Sequence, residues 1–75
     1  MNEYIGRYFK TGPGRKRSLR YIKITVEYPD QPGPFHGFVD YIDDKGYTDI
    51  ISVQNFEMGR YIEATESEFI MASIK

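Results

Sequence analysis

At 75 residues the chain is one domain, residues 1–75, near the lower limit of what folds without disulfides or a structural metal. It has no cysteine, which excludes disulfides, a thiolate nucleophile and a cysteine-ligated metal, and which fits a reducing cytosol. The net charge is −1, but residues 1–28 hold seven Lys/Arg against two Glu, a balance of +5, and residues 29–75 hold three against nine, a balance of −6. Such a split suits a local basic patch or association between unlike halves rather than adhesion of the whole chain to nucleic acid.

The apolar runs are too short for a membrane span. The first ten residues, broken by Glu3, Gly6, Arg7 and Lys10, lack the apolar core of a secretory signal. A cytoplasmic location is expected. Seven Tyr and five Phe with no Trp fit either a small core filled with rings or a contact surface built on tyrosine.

In chain order, Tyr4 to Thr11 reads as a first strand in which Gly6 marks a bulge. Gly12-Pro13-Gly14-Arg15-Lys16-Arg17-Ser18 is a turn-rich basic loop. Leu19 to Tyr28 is the cleanest strand, with Ile22, Ile24, Val26 and Tyr28 on one face, and Tyr21, Lys23, Thr25 and Glu27 on the other. Pro29 ends it, and residues 29–34, with three prolines, form a rigid connection.

The strongest hairpin signal lies between Phe35 and Val53. A four-residue loop, Asp43 to Gly46, would set Asp40 opposite Asp49, and like charges directly opposite are destabilising. A three-residue loop, Asp44-Lys45-Gly46, avoids this and puts glycine at the left-handed position that a type I turn with a bulge requires. It pairs Asp43 with Tyr47, Val39 with Ile51 and Gly37 with Val53. One face then carries Val39, Tyr41, Ile51 and Val53, and the other carries Phe38, Ile42 and Ile50. With both faces partly apolar, a central position, a covering helix or a second chain is expected on the far side.

Gln54 to Gly59 breaks the alternation, and Arg60 to Ala64 returns as a short strand. Thr65-Glu66-Ser67-Glu68 has capping-box spacing, which predicts a helix from Glu66 to about Ser73 with Phe69, Ile70, Ser73 and Ile74 toward the sheet. The predicted fold is mostly β or small α+β. It has about five antiparallel strands in order, forming a small SH3-like or OB-like barrel or a curled sheet, with a short C-terminal helix.

Catalysis is poorly supported, and no catalytic residue, metal site or cofactor is assigned. A set drawn from Ser18 or Ser52 with His36 and Asp40 has neither a nucleophile-elbow pattern nor meaningful spacing. The lone His36 cannot supply a multi-histidine metal site. Asp43 and Asp44 sit where aspartate is favoured in a turn. A non-enzymatic binding module is therefore expected.

Two functional readings follow. In the first, the basic glycine-rich loop engages a phosphate-bearing partner, nucleic acid or nucleotide. Arg15, Lys16, Arg17 and Arg20 would contact phosphate and Tyr8 and Tyr21 would offer stacking surfaces. The loop matches neither the P-loop nor the dinucleotide fingerprint. In the second, the face carrying Phe38, Ile42 and Ile50 buries against another protein, as an inhibitor, an adaptor or a self-assembling subunit, with the acidic C-terminal half free to meet a basic target. A homo-oligomer and a monomer both fit the composition.

Overall fold

In a computed structural model, which describes residues 4–12, 19–28 and 37–74, the strands are β1 (Tyr8–Thr11), β2 (Tyr21–Tyr28), β3 (Phe38–Asp43), β4 (Thr48–Ser52) and β5 (Tyr61–Ala64). Two helices accompany them, α1 (Gln54–Glu57) and α2 (Glu66–Ile74). All strand pairs are antiparallel, in a single sheet of order β4-β3-β2-β1-β5. The sheet is open rather than a closed barrel, with β4 and β5 at its edges. The expected chain order holds from β1 to β4. β5 departs from it, crossing over to pair with β1, Tyr8 against Ala64 and Thr11 against Tyr61. The basic tract 13–18, the proline-rich connection 29–34 and His36 lie outside the described residues.

The β3–β4 hairpin has the three-residue loop. The Asp43 N–H donates to the Tyr47 carbonyl at 2.8 Å, Val39 pairs with Ile51, and the Val53 N–H donates to the Gly37 carbonyl. Gly46 holds φ at 90°, where a side chain would be strained. Asp43 is buried, and its Oδ1 accepts the amides of Lys45 and Tyr47, each at 2.9 Å, so the aspartate serves the turn. At the start of β1, Gly6 (φ 84°) donates to the Ile24 carbonyl, and the Ile24 amide donates to Arg7. Two residues thus face one, as in a glycine bulge.

A second bulge, in β2, changes the expected faces. Ile24 pairs with Tyr41, but Val26 pairs with Asp40, leaving Thr25 as the extra residue. Each added residue inverts the alternation beyond it. Ile22 and Ile24 therefore keep the inner face, while Val26 and Tyr28 move to the outer one. Glu27 turns inward at the rim, where its Oε2 accepts the Tyr4 amide at 3.2 Å.

The inner face holds the core: Phe9, Ile22, Ile24, Val39 and Tyr41, with Ile51, Val53, Tyr61, Tyr4 and Phe56 packed around them. α1 supplies Phe56, whose ring lies 4.4 Å from Phe9, 5.3 Å from Tyr4 and 5.8 Å from Tyr61. One turn of helix thus carries the chain from edge strand β4 across to β5 and covers the core as it goes.

α2 begins with the expected capping box: Thr65 Oγ1 accepts the Glu68 amide and Glu68 Oε1 accepts the Thr65 amide, both at 3.1 Å. Its orientation differs from the expectation. Glu68, Phe69 and Ala72 are the half-buried residues, whereas Ile70 and Ile74 are exposed. Two contacts hold it in this orientation: the other Glu68 oxygen accepts from Lys10 Nζ at 2.8 Å, and Phe69 settles on Tyr8 with ring centres 5.3 Å apart.

Two carboxylates tie distant parts of the chain and set its acid response. Arg7 holds Glu63 through Nε and Nη2, at 3.0 and 2.8 Å, and this hydrogen bond lowers the Glu63 pKa. The Lys10 hydrogen bond, followed by the Thr65 amide, lowers that of Glu68. A depressed folded-state pKa gives stability that is present above the unfolded value, about 4.3 for glutamate, and lost as pH falls through the folded value. Thermal melts are expected to weaken on acidification below that range. Replacing Glu63 and Glu68 by Gln is expected to flatten this acid limb, and an unchanged limb would count against the assignment.

Candidate functional site

The outer face divides in two. Over β1 and β2 it is covered by α2, with Ala64 buried beneath the helix start and Tyr8 under Phe69. α2 packs on β2 and makes no comparable contact with β3 or β4. The remaining area carries Phe38, Ile42 and Ile50, the three apolar residues that the hairpin alternation sets on one face, joined by Val26 and Tyr28 through the β2 bulge. Val26 is 40% exposed and Ile50 52% exposed, with Phe38, Ile42 and Tyr28 half-buried between them. No described element lies over them.

Among the described residues, the one carboxylate within this area is occupied. Tyr28 Oη donates to Asp40 Oδ2 at 2.7 Å, and this bond raises the tyrosine pKa, with burial adding to it. The pair leaves the patch apolar in character, framed by Lys23, Thr48 and Ser52 on the same face. Asp40 is thereby committed to Tyr28, and Ser52 Oγ accepts the Gln54 amide at 3.2 Å.

The residues of the phosphate reading are less closely grouped. Arg15, Lys16 and Arg17 lie outside the described residues. Tyr8 is roofed by Phe69 and has Lys23 Nζ 5.8 Å from its ring centre, so its face is already used. Arg20 and Tyr21 occupy opposite faces. Arg20 lies on the inner side, where its positive charge partly offsets the rise in the Tyr41 pKa caused chiefly by burial. Tyr21 stands on the outer side, in a cleft of about 570 Å³ lined by Leu19, Tyr21, Asp44, Lys45, Ala72 and Ser73. Leu19 directly follows the basic tract in the chain, and Lys45 brings a cation from the hairpin turn.

No family model, curated protein or solved structure matches this chain. Its function must be read from its own surfaces. Among the described residues, no group of three or more His, Asp or Glu side chains is placed to hold a metal ion, and no helix is long and apolar enough to cross a membrane.

Sequence reasoning missed Val26 and Tyr28 on the outer face, and no local signal marks them. The bulge turns two apolar residues out and a glutamate in, the reverse of what alternation favours. It also missed Lys45 and Leu19 as neighbours of Tyr21, because α2, whose end forms the far wall of that cleft, had been oriented by its isoleucines rather than by Glu68.

Proposed function

We propose that this protein is a small, non-enzymatic, cytoplasmic interaction module. The outer face that no described element covers, Phe38, Ile42 and Ile50 with Val26 and Tyr28, receives an apolar surface of another protein. The observation that supports it is the β2 bulge. It enlarges an apolar patch on a face that α2 covers only in part, and patches of this kind on small domains mark interaction sites. Burial there would also add to the core of a chain short on interior. Ile50, the most exposed of the five, is suited to insertion into a partner pocket.

The test compares wild type with Ile50→Asp and Phe38→Asp by co-purification from the source organism and by light scattering. Wild type is expected to retain a stoichiometric protein partner, and both variants to lose it with unchanged circular dichroism. Retention by both variants would refute this reading.

A second reading is supported by the cleft that Leu19, the residue following the basic tract in the chain, helps to line. In it, Arg15, Lys16 and Arg17 contact a phosphate-bearing ligand, nucleic acid or nucleotide, with Tyr21 as the stacking ring and Arg20 adding charge from the other side of the strand. Salt-titrated binding to a single strand, a duplex and a nucleotide panel separates the two. Saturable binding that weakens steeply with salt, and is lost in the Arg15→Ala/Lys16→Ala/Arg17→Ala variant, is the outcome this reading requires.

A further inference from the structure

Among the described residues, β4 has a neighbour on one side only. Tyr47 and Val53 bond toward β3, so by antiparallel alternation the odd positions of β4 face β3. Thr48, Ile50 and Ser52 direct their amides and carbonyls to the free edge. Such a row is a template for another strand. Two groups of this row are already taken: the Ser52 carbonyl accepts from Asn55 Nδ2 at 3.3 Å, and the central amide is held from within its own strand. Asp49 Oδ1 accepts the Ile50 N–H at 2.8 Å, a side chain closing the edge of its own strand.

The strand that best fits this edge is β4 of a second copy. In an antiparallel pair with its twofold axis at Ile50, Thr48 lies opposite Ser52 of the second copy, and Ile50 opposite its counterpart. All three outward residues then pair, and Asp49 meets Ile51 of the second copy rather than another Asp49. Shifting by one pair in one direction sets the two Asp49 carboxylates directly opposite, which is destabilising. Shifting the other way leaves Thr48 unpaired. The Ile50-centred register also continues the outer face across the junction, since Thr48, Ile50 and Ser52 share that face in both chains.

We infer that Asp49 is an edge guard: its carboxylate, by holding the Ile50 amide, keeps β4 from pairing with β4 of a second copy. The bond has to be released before the central pair of the joined sheet can form. This role of Asp49 does not rest on the proposed interaction face, and the two can fail separately, because Asp49 can be changed with the Phe38, Ile42 and Ile50 side chains in place.

The experiment is light scattering coupled to size exclusion, across the micromolar-to-millimolar range in which open strand edges associate. Asp49→Ala, which removes the acceptor, is expected to double the mass found for wild type. Asp49→Val, with higher strand propensity, is expected to do the same and carries the test if the alanine variant folds poorly. Asp49→Asn keeps an acceptor oxygen for the Ile50 amide and is expected to match wild type. Adding Thr48→Pro to Asp49→Ala removes an outward amide without touching a bond to β3, and is expected to restore the wild-type mass. Wild-type mass for both the alanine and valine variants would overturn the inference. So would a doubled mass for the asparagine variant, or a fall in wild-type mass caused by Thr48→Pro alone, which would mean that the edge is already paired.

Discussion

Phe9→Ala is expected to leave the chain largely unfolded at room temperature. Phe9 is 4% exposed at the middle of the inner face, between Ile22 on β2 and Glu63 on β5. Its ring meets Phe56 at 4.4 Å and Tyr4 at 6.1 Å, and the Arg7 guanidinium lies over it at 5.1 Å. Truncating a buried phenylalanine typically costs about 3–5 kcal/mol, and the loss of paired rings is part of that cost. A core in a chain of this length rarely supplies more than about 3–5 kcal/mol in total. The two figures are the same size, so the whole fold is at stake. Far-UV circular dichroism and amide dispersion read the outcome, with Phe9→Leu as the variant expected to stay folded. A Phe9→Ala protein with an unfolding midpoint near wild type would mean that the cluster around Phe56 does not hold the sheet together.

The second large effect comes from a residue with no side chain. Gly12 follows β1, and its amide donates to the Arg60 carbonyl at 2.9 Å, closing the β1–β5 ladder. A Cβ at this position would stand 2.5 Å from the Gly59 carbonyl oxygen and 3.3 Å from that of Arg60. Both obstacles are backbone, so no rotamer change relieves the contact. The Gly12 φ lies outside the left-handed region, so it is this contact, not a left-handed backbone, that opposes a side chain there. Gly12→Ala is nevertheless expected to destabilise by about 1–3 kcal/mol, the usual cost of overpacking. It should lower the urea midpoint without changing the slope, and speed amide exchange along β5. An unchanged midpoint would show that the Gly59–Arg60 turn yields without cost.

The hairpin was legible because two independent constraints agreed, the repulsion of Asp40 and Asp49 in one register and the glycine needed by the other. Local pattern carries that kind of information well. It carries little about which strand β5 will join, since Tyr61–Ala64 has no feature naming β1 over β4. The single turn of α1 is too short for any periodicity to register, yet its Phe56 closes the core.

The candidate site shows the same division. Phe38, Ile42 and Ile50 fall on one face by simple alternation, and the structure places them there. Val26 and Tyr28 join them only through the extra residue in β2. The opposite placement of Arg20 and Tyr21 was within reach of the sequence, because neighbours in an extended chain point to opposite sides.

The pairing of β5 with β1 has a consequence for the order of assembly. The contacts that secure β1 on that side span most of the chain: Arg7 and Glu63 are 56 positions apart, and Lys10 and Glu68 are 58. Contacts so far apart require the largest loop closure, and they slow folding accordingly. On a ribosome the meander from β1 to β4 emerges before β5 and α2, and β1 waits as an open strand until they appear. β5 and α2 thus close the sheet at β1, and until they follow, the nascent chain is exposed along that strand.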